Sequence, residues 1–206
     1  MKKRKVITES QYKNYKIMST EERSCDKKIL NEIDRQFTHA EETKKKIFYM
    51  RLDLRFPESM HCSGNALFSR FQKEFILNLK RKGLTPQYIA VAEQSVQNGK
   101  RHYHEALWLD GKKTQNIFGH IRTAENLWGG ILGVTDKNHG LVDNCTRGRD
   151  GSRHTNGVML DPQAPDYHEK KSQCFHGASY LAKTYSKNEG KTGEREIFSS
   201  RIPKKK

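Results

Sequence analysis

In Ile47-Phe48-Tyr49-Met50-Arg51-Leu52-Asp53-Leu54-Arg55-Phe56, closed by Pro57, two kinds of residue alternate. Phe48, Met50, Leu52, Leu54 and Phe56 fall on one side, and Tyr49, Arg51, Asp53 and Arg55 on the other. A period of two marks a β-strand, whose successive side chains point to opposite faces. One face is core. On the other, Tyr49, Arg51, Asp53 and Arg55 are expected to meet DNA, since guanidinium suits phosphate and a ring suits an unstacked base. Solvated alternation is the competing reading of this strand taken alone.

Upstream, Ser19 with Glu22 resembles a capping box. Ile29, Leu30, Ile33 and Phe37 then recur at helical spacing, predicting a helix over roughly 20–43 that Lys44-Lys45-Lys46 closes. Residues 1–18 are basic and unpatterned, and read as a mobile arm. Downstream, Leu67, Phe68, Phe71, Phe75, Ile76 and Leu79 mark an amphipathic helix over 64–82, stopped at Gly83. Strand Tyr88–Ser95 leads through Asn98-Gly99, a strong hairpin signal, into strand Arg101–Leu109. A helix over 113–132, with Ile117, Ile121, Leu127 and Trp128, ends in Gly129-Gly130.

The polar stretch 133–165 is expected to hold two short strands, near 140–145 and 157–160, around a mobile loop. Pro165-Asp166 opens a helical region that includes Tyr180-Leu181-Ala182-Lys183, and 189–206 reads as a basic tail. The order β-α-β-β-α-β(β)-α predicts one α+β domain over 19–188. It would have a central antiparallel sheet of about five strands and helices on one face, in a split-βαβ arrangement.

The chain has 206 residues and a formal net charge of +15, from 39 Lys+Arg against 24 Asp+Glu. That excess favours polyanionic partners, nucleic acid first. Charge does not separate an enzyme from a binder. The cysteines Cys25, Cys62, Cys145 and Cys174 form no CxxC pair, which argues against a zinc ribbon and reads as reduced thiols in the cytoplasm. No run approaches the ~20 apolar residues of a membrane span.

His102-Tyr103-His104 lies within a strand, so both imidazoles project from one face. If Asn98-Gly99 is a two-residue turn, Gln97 pairs with Lys100, Ser95 with His102 and Glu93 with His104. Glu93 then shares the histidines' face, whereas Glu105 and Gln94 point the other way. Two imidazoles and a carboxylate make an open site for a divalent ion. The alternative is a pair of surface histidines. Tyr180 and Lys183 share a helix face, so phenol and ammonium can address one phosphate. Lys187 lies on the same side and is expected to contact DNA. Tyr185 lies well around the helix. Packing is the competing role for Tyr180.

In order, an RLDLRFP strand, an HxH strand and a YxxK helix resemble the three motifs of HUH endonucleases. The matching stretches are Arg51–Pro57, Glu93 with Arg101–Gly111, Gly140–Val142, Ser179–Lys183 and Arg195–Ser200. They are similar above all to the inovirus-type replication initiators and YagK/YfjJ-like prophage proteins. The resemblance implies a single-tyrosine nicking-joining endonuclease that starts rolling-circle replication at an origin. Tyr180 would form a 5′-phosphotyrosine, Lys183 would assist at the phosphate, and His102 and His104 would hold Mg²⁺ or Mn²⁺ with Glu93 as third ligand. Single-stranded DNA or an origin hairpin would be the substrate, in a bacterial host cell at the nucleoid, with helicase and polymerase borrowed from the host. Glu105 departs from the family, which has an aliphatic residue there, and the 145–156 loop is unusually polar. Competing readings are a single-tyrosine transposase or relaxase, a small metal-dependent phosphodiesterase, and a non-catalytic single-stranded-DNA-binding regulator on the same fold.

Overall fold

A computed structural model describes residues 4–20, 22–60, 62, 64–94, 99–134, 140–148, 151–185 and 194–203. In chain order the elements are β1 (Val6–Ile7), β2 (Gln11–Tyr12), β3 (Tyr15–Lys16), β4 (Cys25–Asp26), α1 (Lys27–Thr43), β5 (Ile47–Arg55), α2 (Ala66–Arg81) and β6 (Gln87–Gln94). There follow β7 (Arg101–Asp110), α3 (Ile117–Leu132), β8 (Val142–Asp143), β9 (Val158–Leu160), α4 (Tyr167–Ser179), a 3-10 turn (Tyr180–Ala182) and β10 (Ile197–Ser199).

The central sheet runs β10-β6-β7-β5-β8, with β9 also on β5, and every pairing is antiparallel. Both β5 and β6 oppose β7, so they run parallel to each other with β7 between them and α2 as the crossover. That is the split βαβ the element order predicts. The expected α+β class holds, with six strands in the sheet.

The layering is fuller than expected. Phe48, Met50, Leu52 and Leu54 of β5 pack with Phe68, Phe71 and Phe75 of α2 and Trp128 of α3. On the opposite face Tyr49, Val91 and Trp108 pack with Ile33 and Phe37 of α1 and Phe175 and Ala178 of α4. Helices therefore cover both faces, not one. Toward one end of the face that bears Tyr49, Val91 and Trp108, the polar residues Arg51, Asp53, Glu93 and His104 of β5, β6 and β7 gather.

Described segments near both termini are packed into the fold. From Arg4 onward the expected mobile arm is packed: β1 pairs with β4, Tyr12 and Ile17 are buried, and Tyr15 stacks on Phe175 at 4.2 Å. Ser19 does not cap a helix; its hydroxyl donates to the carbonyls of Ile7 and Arg23. The helix begins later, capped by Asp26, which accepts from the Lys28 amide at 2.8 Å. At the other end β10 pairs with β6 and buries Phe198, so part of the expected tail is a sheet strand. Helix α3 runs past Gly129-Gly130 and stops at Gly133, whose φ of +69° supplies the left-handed cap. Among the described residues no helix is long and apolar enough to cross a membrane, and none of the four cysteines is joined in a disulfide.

Candidate active site

The register of β6 on β7 places Glu93 opposite His102 and Gln94 opposite Arg101. This corrects the expected pairing of Glu93 with His104 by two positions; Ser95–Asn98, which carry most of the expected turn, lie outside the described residues. A slip of two keeps every side chain on its face. Glu93 therefore still sits beside both histidines. Its Oε2 lies 3.2 Å from His102 Nε2 and 3.1 Å from His104 Nε2. Donor atoms of Glu93, His102 and His104 all fall within 4.8 Å of one another. A small divalent ion bound at about 2.0–2.2 Å spaces adjacent ligand atoms at about 3.0–3.5 Å, which the two carboxylate–imidazole separations match. The residues fit a divalent ion.

Strand β5 supplies the other side of His104. Its register sets Asp53 opposite His104 and Arg55 opposite His102. His104 Nδ1 is 2.7 Å from Asp53 Oδ1, a close ion-pair contact that is not aligned as a straight hydrogen bond. A carboxylate behind a ligating imidazole fixes which nitrogen faces the metal. Burial works against charge on both groups, but the opposing charges win. Asp53, beside His104 and Arg51, is held well below the usual carboxylate range, and His104, between Asp53 and Glu93, is raised.

Tyr180 arrives from α4. The helix ends at Ser179 and continues as the 3-10 turn, where residues three apart eclipse, so Tyr180 and Lys183 share a side. Lys183 Nζ stands 3.7 Å from the Tyr180 ring centroid, 3.1 Å from Glu93 Oε2 and 3.4 Å from His104 Nε2. His104 meets the Tyr180 ring edge-on at 5.1 Å. Arg51 lies 5.0 Å from the same ring and donates to the Gly177 carbonyl at 2.9 Å, tying the end of α4 to β5. Tyr180, the two cations and the three side chains that could hold a metal thus lie together, with Tyr180 and His102 partly exposed and the others buried.

The expected DNA contacts separate. Tyr49 is 1% exposed beneath α4, 5.8 Å from Trp108, and is a core residue rather than a DNA contact. Arg51 and Asp53 are each 8% exposed and act inside the site. Arg55 keeps half its side chain exposed beside Asp143 at 3.2 Å. Lys187 lies outside the described residues.

Two features escaped the sequence. Asp53, expected to face DNA, meets His104 instead, and nothing in an alternating strand says which neighbour an aspartate meets. Ser179 has no motif of its own, yet its buried hydroxyl accepts from the Met18 amide at 2.8 Å and donates to the His176 carbonyl at 2.7 Å, clamping the helix end just before Tyr180. Lys183 is anchored similarly: it bridges Cys25, and the Thr184 amide donates to the Ser24 carbonyl at 3.0 Å. Glu105 points away from the site as expected, but into the core under α2, where Gln72 donates to it at 2.6 Å.

No curated protein matches the chain in sequence. Among solved structures, the catalytic domain of the Adeno Associated Virus type 5 Rep protein superposes with a TM-score of 0.37 and 11% identity, over 66% of this chain and 95% of that one. The profile of the YagK/YfjJ C-terminal domain matches residues 7–198, and the chain belongs to that family.

Proposed function

We propose that this protein cuts and rejoins single-stranded DNA through Tyr180, as an HUH-type initiator of rolling-circle replication. The observation that carries the reading is the convergence of Tyr180 and Lys183 on the Glu93, His102 and His104 donor set. Neither a pure binder nor a surface histidine pair requires it. Glu93, His102 and His104 would hold Mg²⁺ or Mn²⁺, and the ion supplies polarisation of the scissile phosphate. Asp53 orients His104. Lys183 and Arg51 flank the Tyr180 ring and favour negative charge on a phenol that is a weak nucleophile at its free pKa of about 10.

Attack by the Tyr180 oxygen forms a P–O bond to the 5′-phosphate and breaks the P–O3′ bond. The phenol loses its proton and the leaving 3′-oxygen gains one. Because the phosphodiester energy is retained, a later 3′-hydroxyl can reverse the step and reseal the strand. Unwinding and synthesis would fall to a helicase and polymerase of the host.

Wild type and Tyr180→Phe, incubated with Mn²⁺ and single-stranded fragments of the element that encodes the protein, provide the test. Wild type should form a denaturation-resistant adduct and Tyr180→Phe none, with DNA affinity nearly unchanged. Adducts that persist in Tyr180→Phe would move the nucleophile elsewhere, and DNA binding without cleavage by wild type would support a regulator on this fold.

A further inference from the structure

Strands β8 and β9 both pair with the same edge of β5, at Asp53–Leu54 and at Ile47–Tyr49 respectively. Between them, level with Arg51, the chain leaves the sheet and returns. The Asn156 side chain fills the gap: its Oδ1 accepts from the Arg51 amide at 2.7 Å and its Nδ2 donates to the Arg51 carbonyl at 2.8 Å. It thereby replaces a strand partner with a side-chain amide. At the other root, the Cys145 amide donates to Asp143 at 2.8 Å, the Cys145 thiol meets the Asp53 carboxylate, and the backbone turns at a positive φ of 52°.

The limbs 144–148 and 151–156 zip together outward. Arg147 bridges Arg153, the His154 amide donates to the Thr146 carbonyl at 2.9 Å, and the Gly148 amide donates to the Ser152 carbonyl at 2.8 Å. This is a built hairpin, rooted beside Asp53 and therefore beside His104. Arg147, Arg153 and His154 are exposed along it, and among the described residues no carboxylate pairs with either arginine. A hairpin whose two exposed arginines have no acidic partner among the described residues, beside the proposed site, is matched in charge to a polyanionic strand.

We propose that this hairpin is a DNA-backbone-binding finger, whose Arg147 and Arg153 grip phosphates of the single strand flanking the scissile bond. The substrate class rests on the nicking reading above; the finger itself rests on its own geometry. Wild type and an Arg147→Ala/Arg153→Ala double variant are titrated with a long single-stranded oligonucleotide at several salt concentrations, followed by fluorescence anisotropy. Both arginines are exposed, so thermal unfolding should not change, and Mn²⁺ affinity by calorimetry should be untouched. The slope of log affinity against log salt should become shallower by about 1.4, two contacts at about 0.7 each, with a weaker Kd. An unchanged slope and Kd overturns the proposal, as does a loss seen with a duplex and absent with the single strand. Adduct formation by wild type alongside an unchanged slope removes the finger alone. A reduced slope without any adduct from wild type removes the nicking reading and leaves the finger standing.

Discussion

His104 is held between two carboxylates, Asp53 on Nδ1 and Glu93 on Nε2. A neutral imidazole must offer one nitrogen to a metal and carry its proton on the other, and an acceptor behind the ring decides which. Asp53 lies against Nδ1, so it presents Nε2 toward Glu93. Asp53→Asn keeps the shape and removes the charge. Calorimetry with Mn²⁺ should show affinity reduced about 10- to 100-fold, with circular dichroism unchanged. The same substitution removes a neighbour that raises His104, so the histidine should titrate lower by NMR. Equal affinity in the variant would mean that Asp53 serves only the Arg51 contact at 3.8 Å.

Between elements, β7 meets α2 through an ionisable group in an otherwise apolar layer. Glu105 is fully buried, one carboxyl oxygen accepts from Gln72, and burial raises its pKa from 4.5 to about 8. Between those values the native state binds a proton that the unfolded state has lost, so stability falls as pH rises through the window. Glu105→Gln keeps an acceptor for Gln72 and cannot ionise. Its stability advantage over wild type should be small near pH 4.5 and grow by at most about 1.4 kcal/mol per pH unit, levelling near pH 8. Urea unfolding across that range reads it directly; a difference independent of pH would place the Glu105 charge elsewhere. That Glu105 faces away from the histidines was legible, because face assignment in a strand needs only parity. So were the four helices and the long strands, whose periods repeat often enough to show. The exact β6–β7 register was not, since it depends on a turn whose chemistry allows more than one loop. The burial of Tyr49 was equally hidden: alternation marks a face, and only the later return of α4 decides that this face is covered.

At the scale of the whole molecule, the short pairings that close the domain were the hardest to see. Strands β1, β4 and β10 are two or three residues long, too short for any period to register, and charge alone made both termini look like solvated tails. They are instead tied to each other. Arg4 pairs with Asp26 at 2.7 Å, the residue that caps α1, and with Glu196 at 2.9 Å, the residue before β10. The same N-terminal segment buries Tyr12 and Ile17 and hands its Met18 amide to Ser179, one residue before the proposed nucleophile. Deleting residues 1–18 should therefore act on the fold rather than on bulk charge. Losing the burial of Tyr12 and Ile17 should cost about 3–6 kcal/mol as an upper estimate, a large share of the roughly 5–15 kcal/mol that holds a domain together. The urea midpoint should drop markedly, and cleavage should fall at temperatures where circular dichroism still reports a folded chain, because Ser179 has lost its clamp. A basic arm would behave oppositely, weakening DNA binding and flattening its salt dependence while the midpoint and the cleavage rate stayed where they were. That second result would return residues 1–18 to the role of an arm, and measuring midpoint, rate and salt slope on one truncated protein separates the two.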